Sequence, residues 1–196
     1  MKAQTAIDYL RAQIQDNIDT SRSLFENDLK DVYRCCEIIS AAFKKGNKLL
    51  ICGNGGSAAD AQHVAAEFVN RFKMNRQPLP AIALTTDSSI LTSVGNDSDF
   101  KLVFSKQVEA LGEKGDVLLA LTTSGNSDNI IEAVKTAKKK GLYCAAITGD
   151  GSGKLKKIAD LCACVPSHDT PRIQEASLLI EHLICDLVEK MIFEKR

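Results

Sequence analysis

The chain has 196 residues and a mass of 21.3 kDa, which suits one large domain better than two. Its 25 basic residues balance 25 acidic ones, so a generic basic surface for nucleic acid is not expected. Apolar runs such as residues 117–121 are too short to cross a bilayer, and the first thirty residues have the composition of neither a signal peptide nor a transit peptide. We therefore expect a cytoplasmic protein that binds neither nucleic acid nor membrane.

The seven cysteines include no CxxC pair, so neither a zinc knuckle nor a thioredoxin-type motif is indicated. Five of them lie in apolar runs that are typical of a core, namely Cys52, Cys144, Cys162, Cys164 and Cys185. We expect buried, reduced thiols, because an unpaired cysteine behaves as a small hydrophobic residue.

The first 45 residues contain no proline and predict two helices. The first helix carries an apolar stripe at spacings of three and four, formed by Ile7, Leu10, Ile14 and Ile18. A second apolar stripe runs through residues 32–43 and ends at Gly46. We expect residues 1–45 to form a helical extension that carries oligomer contacts.

Strand and helix patterns then alternate along the chain. Short apolar runs predict strands at residues 48–52, 81–84, 117–121, 143–147 and 162–165. Helices are predicted at residues 57–72, 101–111, 128–140, 155–158 and 172–194. Strands without polar positions are typical of a parallel sheet that is buried on both faces. We expect a doubly wound, flavodoxin-like α/β fold with five parallel strands over residues 46–196, forming one structural domain with the extension.

Two loops at predicted strand ends, where such folds bind ligands, are suited to a phosphate group. Gly53-Asn54-Gly55-Gly56-Ser57 runs into a helix, whose N-terminal N–H groups attract anions and for which Ser57 is a good N-cap. Residues 122–127 offer four hydroxyl groups before another helix, more than capping needs. Either loop alone could be a tight turn or a capped helix. Together they indicate a phosphorylated small molecule.

Only three histidines are present, so each can be weighed separately. His63 and Glu67 are four residues apart on one face of a predicted helix, which fits metal binding or proton transfer, but also a solvated surface pair. His182 lies among apolar residues, where a histidine is commonly part of the core. By default, His168 and Gln174 are exposed polar residues.

The strand and loop at residues 121–127 resemble the phosphosugar-binding loop of the sugar isomerase (SIS) domain family. More narrowly, residues 52–63 resemble the first signature of the bacterial phosphoheptose isomerases. The resemblance continues in order over essentially the whole chain, through residues 81–84, 95–97, 115–119 and 172–175.

This resemblance implies an SIS domain over residues 46–196 and an aldose–ketose isomerase. The family's reaction converts D-sedoheptulose 7-phosphate to D-glycero-D-manno-heptose 7-phosphate. It is the first step of ADP-heptose synthesis for lipopolysaccharide core or other surface glycans. The resemblance also implies a homotetramer with active sites at subunit contacts.

Carried over residue by residue, the resemblance makes Glu67 and His182 the acid–base pair. It implies one zinc ion per subunit, bound by His63, Glu67, Gln174 and His182. The implied contacts to the phosphorylated seven-carbon sugar are Asn54, Gly55, Gly56, Glu67, Asn96, Asp97, Thr122, Thr123, Ser124, Ser127 and Gln174.

Gln174 and His182 are eight residues apart, so their Cα atoms differ by roughly 12 Å along one helix. Both can reach one ion only if they stretch toward each other or if one comes from a neighbouring subunit. Pro171 departs from the pattern, since some family members carry an acidic residue there; Asp169 is close by in sequence.

Two alternative functions stay open. Regulatory SIS relatives that bind the replication initiator DnaA are not enzymes, but they typically lack the matching Glu and final His, both of which this chain retains. An isomerase of another sugar phosphate shares the phosphate loop, because that loop does not report the length of the sugar.

Overall fold

The structure is a computed structural model that describes residues 3–27, 29–151 and 153–194. Its helices are α1 (Ala3–Asn27), α2 (Leu29–Lys44), α3 (Gly56–Val69), α4 (Ser88–Asp97), α5 (Ser105–Leu111), α6 (Asp128–Lys140) and α7 (Thr170–Phe193). Its strands are β1 (Leu49–Gly53), β2 (Ala81–Ala83), β3 (Val117–Leu121), β4 (Tyr143–Gly149) and β5 (Leu161–Val165). Short 3-10 turns span Phe100–Leu102 and Leu155–Lys157.

The five strands form one parallel sheet in the order β2-β1-β3-β4-β5, which confirms the predicted fold class. Strands β1 and β3 are neighbours in the middle of the sheet, with Gly53 paired to Leu121 at their last residues. The two loops that the sequence singled out therefore start side by side at one edge.

Alternate residues of each strand enter two separate cores. On one face, Leu49 and Ile51 pack with apolar residues of α2, α3 and α7. On the other face, Leu50 and Cys52 pack with residues of α5 and α6. Both faces of the sheet are thus covered, as the lack of polar positions in the strands predicted.

Helix α4 was not predicted. In the described chain none of its ten residues is fully buried, and the apolar stripe that packs against the core is short, with Leu91 and Val94 partly buried. Its N-terminus is instead stabilised by Asp87, whose carboxylate accepts a hydrogen bond from the N–H of Ile90 at 2.9 Å. The predicted helix at residues 101–111 is divided between a 3-10 turn and α5.

Two further expectations were wrong. Ser57 is not the N-cap of α3, because the helix starts one residue earlier and Gly55, with φ of 56°, takes that position. Cys162 and Cys164 are half-buried rather than part of the core, since they lie on β5 at the edge of the sheet.

Helix α1 is attached to the first turns of α7 by polar contacts. Arg172 donates a hydrogen bond to the main-chain oxygen of Gln13 at 2.6 Å, and Asn17 donates one to Glu175 at 2.7 Å. These contacts leave the predicted apolar stripe exposed, with Ile14 62% exposed. The division of the chain at residue 45 stays a prediction.

Within residues 3–27, 29–151 and 153–194, no helix combines the length and the apolar character that a bilayer span requires.

Candidate active site

A small cavity of about 80 Å³ lies where β1 and β3 end, between the two predicted loops. Its lining residues come from three separate parts of the chain: Asn54, Ser57, Leu121, Thr122, Thr123, Ser124, Ser127 and Gln174. The structure therefore brings Gln174, at the start of α7, to the same cavity as both loops. The cavity is small and polar, which suits a phosphate group rather than a whole sugar.

The hydroxyl-rich loop keeps its hydroxyl groups available to a ligand. Ser127 is the N-cap of α6, yet within the described residues its side chain makes no cap hydrogen bond. Gly125 turns the loop with φ of 64°, and Ser124 Oγ accepts only a long bond from the N–H of Asn126 at 3.2 Å. Because capping does not use these hydroxyls, the geometry favours the phosphate interpretation over helix capping.

The two loops are tied together by a pair of amide side chains. Asn54 and Asn129 exchange two hydrogen bonds of 2.9 and 2.8 Å. Asn129 is buried in the first turn of α6, and the sequence analysis did not identify it. The only local sign of its role in the sequence is a polar residue two positions after the serine at the N-cap position. This pair fixes the glycine loop relative to the hydroxyl loop.

Helices α3 and α7 approach each other closely at the glycine loop. A Cβ atom added to Gly56 would lie 2.5 Å from Nε2 of Gln174, so a larger residue here would displace the Gln174 amide from its position. Of the predicted contact residues Gly55 and Gly56, it is Gly56 that lies next to Gln174 and shapes the position of its amide.

Two turns further along α3 and α7, the side chains that could transfer protons or bind a metal ion come together. Nε2 of His63 and Nε2 of His182 are 2.8 Å apart, and Oε1 of Glu67 lies 3.7 Å from Nε2 of His63. At this distance one imidazole donates and the other accepts, so only one of the two Nε2 atoms carries a proton. His63, Glu67 and His182 form one cluster, whereas Gln174, the fourth member of the predicted zinc site, lies apart at the cavity.

Glu181, which directly precedes His182 on α7, is a buried carboxyl group that sequence reasoning missed. It is 1% exposed, and neither of its carboxyl oxygens has a hydrogen-bond partner among the described residues. Burial, with a smaller contribution from the charge of Asp60, raises the pKa of Glu181 to about 8. The side chain is therefore mostly neutral at pH 7.

Asn96 and Asp97 lie away from this arrangement. They are exposed at the end of α4, where Asn96 donates a hydrogen bond to Asp97 at 2.8 Å. Neither residue lines the cavity of the described chain. His168 is also exposed, near Asp150.

The model of the SIS domain family matches residues 14–149 of this chain. A phosphoheptose isomerase of Clostridium acetobutylicum is 46% identical over 190 residues, covering 96% of this chain and 97% of that relative. One from Burkholderia pseudomallei is 51% identical over 171 residues, covering 87% of each chain.

Solved structures agree with these sequence relatives. The phosphoheptose isomerase of Neisseria gonorrhoeae superposes with a TM-score of 0.90 at 40% identity, covering 94% of this chain and 99% of that one. The enzyme of Francisella tularensis gives a TM-score of 0.92 at 36% identity, covering 94% and 98%.

The cavity predicts that hydroxyl groups carry much of the affinity for phosphate. Ser124→Ala combined with Ser127→Ala removes two donors, and we expect sugar-phosphate binding to weaken by roughly 1–3 kcal/mol in calorimetry. Ser93→Ala combined with Ser98→Ala, at exposed positions on α4 and just after it, is the matched control. Equal affinity in the two double variants would show that the loop does not bind phosphate.

Proposed function

Because the chain belongs to the phosphoheptose isomerases of the SIS domain family, we propose that it converts D-sedoheptulose 7-phosphate to D-glycero-D-manno-heptose 7-phosphate. This reaction is the first step of ADP-heptose synthesis for lipopolysaccharide core or other surface glycans. The proposal depends on one observation. The phosphate-sized cavity lies at one end of the contact between α3 and α7, and the cluster of His63, Glu67 and His182 lies two turns further along these helices. We also propose that the chain acts in the cytoplasm.

The separation of the two levels fits a seven-carbon chain. Gln174, at the cavity, and His182, in the cluster, are eight residues apart on α7, which corresponds to roughly 12 Å along the helix. A seven-carbon sugar phosphate spans more of this separation than a five-carbon one does, which supports a heptose phosphate over a shorter sugar.

The reaction requires a proton to leave one carbon and return to its neighbour through a cis-enediol. Glu67 is half-buried at the cluster and supplies a carboxylate suited to carry that proton. His182 is assigned the movement of protons between the two substrate oxygens, since an imidazole can both donate and accept near neutral pH. The contact with His63 fixes one edge of the His182 ring.

The alternative of a regulatory adapter is not favoured. Its relatives typically lack the residues matching Glu67 and His182, whereas this chain retains both, with each side chain within 4 Å of His63. Such a cluster serves chemistry, because a surface for protein binding does not need it.

We further propose one zinc ion per subunit at this cluster. His63, Glu67 and His182 offer nitrogen and oxygen donors of the kinds that zinc takes, and Nε2 of His63 lies 2.8 Å from Nε2 of His182 and 3.7 Å from Oε1 of Glu67. In the described residues no group of three or more His, Cys, Asp or Glu side chains has a ready-made metal geometry, and Gln174 lies apart. A bound zinc ion would supply a positive charge that polarises the substrate oxygens.

We propose a homotetramer with active sites at subunit contacts. Leu10 and Ile14 on α1 are 59% and 62% exposed, which leaves an apolar patch on a single chain. Leu179 and Leu183 are also exposed on α7, directly beside His182. A second chain that covers these leucines would bring its own residues next to the cluster.

The acid–base assignment predicts that Glu67→Gln and His182→Gln each lower turnover by about 10²-fold or more, because each variant loses its proton-transfer group. Turnover is measured by following the aldoheptose phosphate by NMR, and folding by thermal unfolding. Glu109→Gln, an exposed residue on α5, is the matched control. Near-normal turnover of a folded Glu67→Gln variant would remove Glu67 from the catalytic role.

The zinc assignment predicts about one metal ion per chain in elemental analysis after zinc loading, as expected for a single site. His63→Ala should lower this ratio because it removes a nitrogen donor. His168→Ala, at an exposed histidine, should leave it unchanged. Metal-free protein that still isomerises at the full rate would contradict a catalytic zinc ion.

The assembly predicts that Leu10→Glu combined with Ile14→Glu breaks the oligomer in sedimentation velocity and reduces turnover, although both residues are remote from Glu67. Thr5→Glu combined with Ala12→Glu places the same two charges at exposed positions on the opposite face of α1 and is expected to leave both unchanged. A monomeric Leu10/Ile14 variant with full turnover would refute the shared site, and a monomeric unaltered chain would refute the assembly.

A further inference from the structure

The loop at residues 70–80 between α3 and β2 is anchored by one buried carboxylate of α7. Glu189 accepts hydrogen bonds from three successive N–H groups, those of Phe72, Lys73 and Met74, at 2.8 to 3.0 Å. It also accepts one from Nε of Arg76 at 2.9 Å. The side chain of Glu189 is 1% exposed and that of Arg76 is 2% exposed.

Arg76 extends this network to the last turn of α3. Its guanidinium donates to the main-chain oxygens of Glu67 at 2.8 Å and of Phe68 at 2.5 Å. It therefore satisfies helix carbonyls that have no partner within the helix. The Arg76–Glu189 pair thus joins α3, the loop and α7 at one buried point.

The buried pair is charged at neutral pH. Burial alone would raise the pKa of Glu189, but the N–H donors of the loop and the Arg76 side chain together hold it below its ordinary value. Removing one partner would leave an uncompensated buried charge, so the geometry that the pair imposes on the loop is strongly held.

The loop geometry places Phe72 against His182. Their ring centroids are 5.5 Å apart with the planes inclined at 30°. The His182 ring also meets the His63 ring edge-on, with centroids 5.1 Å apart. His182 therefore contacts two rings, and its orientation depends on both.

We propose that Phe72, held by the Arg76–Glu189 pair, is a positioning residue that orients the His182 imidazole for proton transfer. The inference rests on the proposed isomerase function. Phe72 reaches no substrate atom in this role; it limits rotation of the imidazole ring, so that the nitrogen facing His63 stays in the cluster. A ring without this support would sample other orientations and would less often have the geometry for transfer.

The test is Phe72→Leu, which keeps an apolar side chain and the whole buried pair but removes the ring. We expect kcat to fall about tenfold with KM changed less than about twofold, because the loss acts on the chemical step rather than on binding. Phe72→Tyr, which keeps the ring, should restore kcat. Phe100→Leu, at an exposed phenylalanine on the other face of the sheet, is the matched control.

A second readout does not depend on activity. With histidine labelled with ¹³C at the ring ε1 carbon, the three histidines give three ring signals, assigned with His63→Gln and His182→Gln. Phe72→Leu should shift the His182 signal by removing a neighbouring ring current, while that of His168 stays in place. Unfolding temperature measured on the same samples verifies that each variant is folded.

Glu189→Gln tests the pair itself and is expected to shift the same His182 signal and lower kcat. If this variant does not fold, Phe72→Leu still tests whether Phe72 orients the His182 ring. An unmoved His182 signal, or a moved signal with unchanged kcat, would overturn the positioning role and leave the proposed function intact. If the unaltered chain shows no turnover, both the positioning role and the proposed function are overturned. The His182 signal would still report whether the rings of Phe72 and His182 are in contact.

Discussion

The packing of α3 against α7 is the constraint on which the arrangement of the site depends. These helices follow β1 and β5, which are not neighbours in the sheet, so α7 must return across one face of the sheet to meet α3. Their contact holds Gly56 beside Gln174 at one end and His63 beside His182 two turns further along. A change in the spacing of the two helices would alter both levels of the site together.

The sequence predicts the sheet because its strands are buried on both faces. A strand such as Val117–Leu121 has no polar residue at either face, so its type and bounds are both evident. Predicted ends of the other strands differ by one or two residues, and at β1 and β4 the last strand residues are glycine or threonine and glycine, which also suit loops. The helix predicted at residues 57–72 ends three residues early, at Val69. Helix α4 was missed because its apolar stripe, which includes Leu91 and Val94, is short and is surrounded by a glycine and several hydroxyl residues.

The candidate site was predictable where its signal is local. Glycines and hydroxyl residues after β1 and β3 stand out because a strand and a helix flank each loop. The remaining contacts join residues more than 70 positions apart, such as Asn54 with Asn129 and Phe72 with Glu189. No spacing rule connects such residues. Glu189 has the sequence context of a solvated helix residue, and only the fold shows that three N–H groups surround it.

The two ends of α3 favour groups of opposite charge. Its N-terminus, at Gly56, faces the phosphate-sized cavity, where unpaired N–H groups and the helix dipole favour an anion. At its C-terminus the guanidinium of Arg76 binds the last carbonyls, where a cation is favoured. Glu67 lies in the last turn, so the contact that completes the helix also fixes the backbone of the proposed base. Because Glu189 neutralises Arg76, that cation is balanced within the network, and the carboxylate of Glu67 stays available to the cluster.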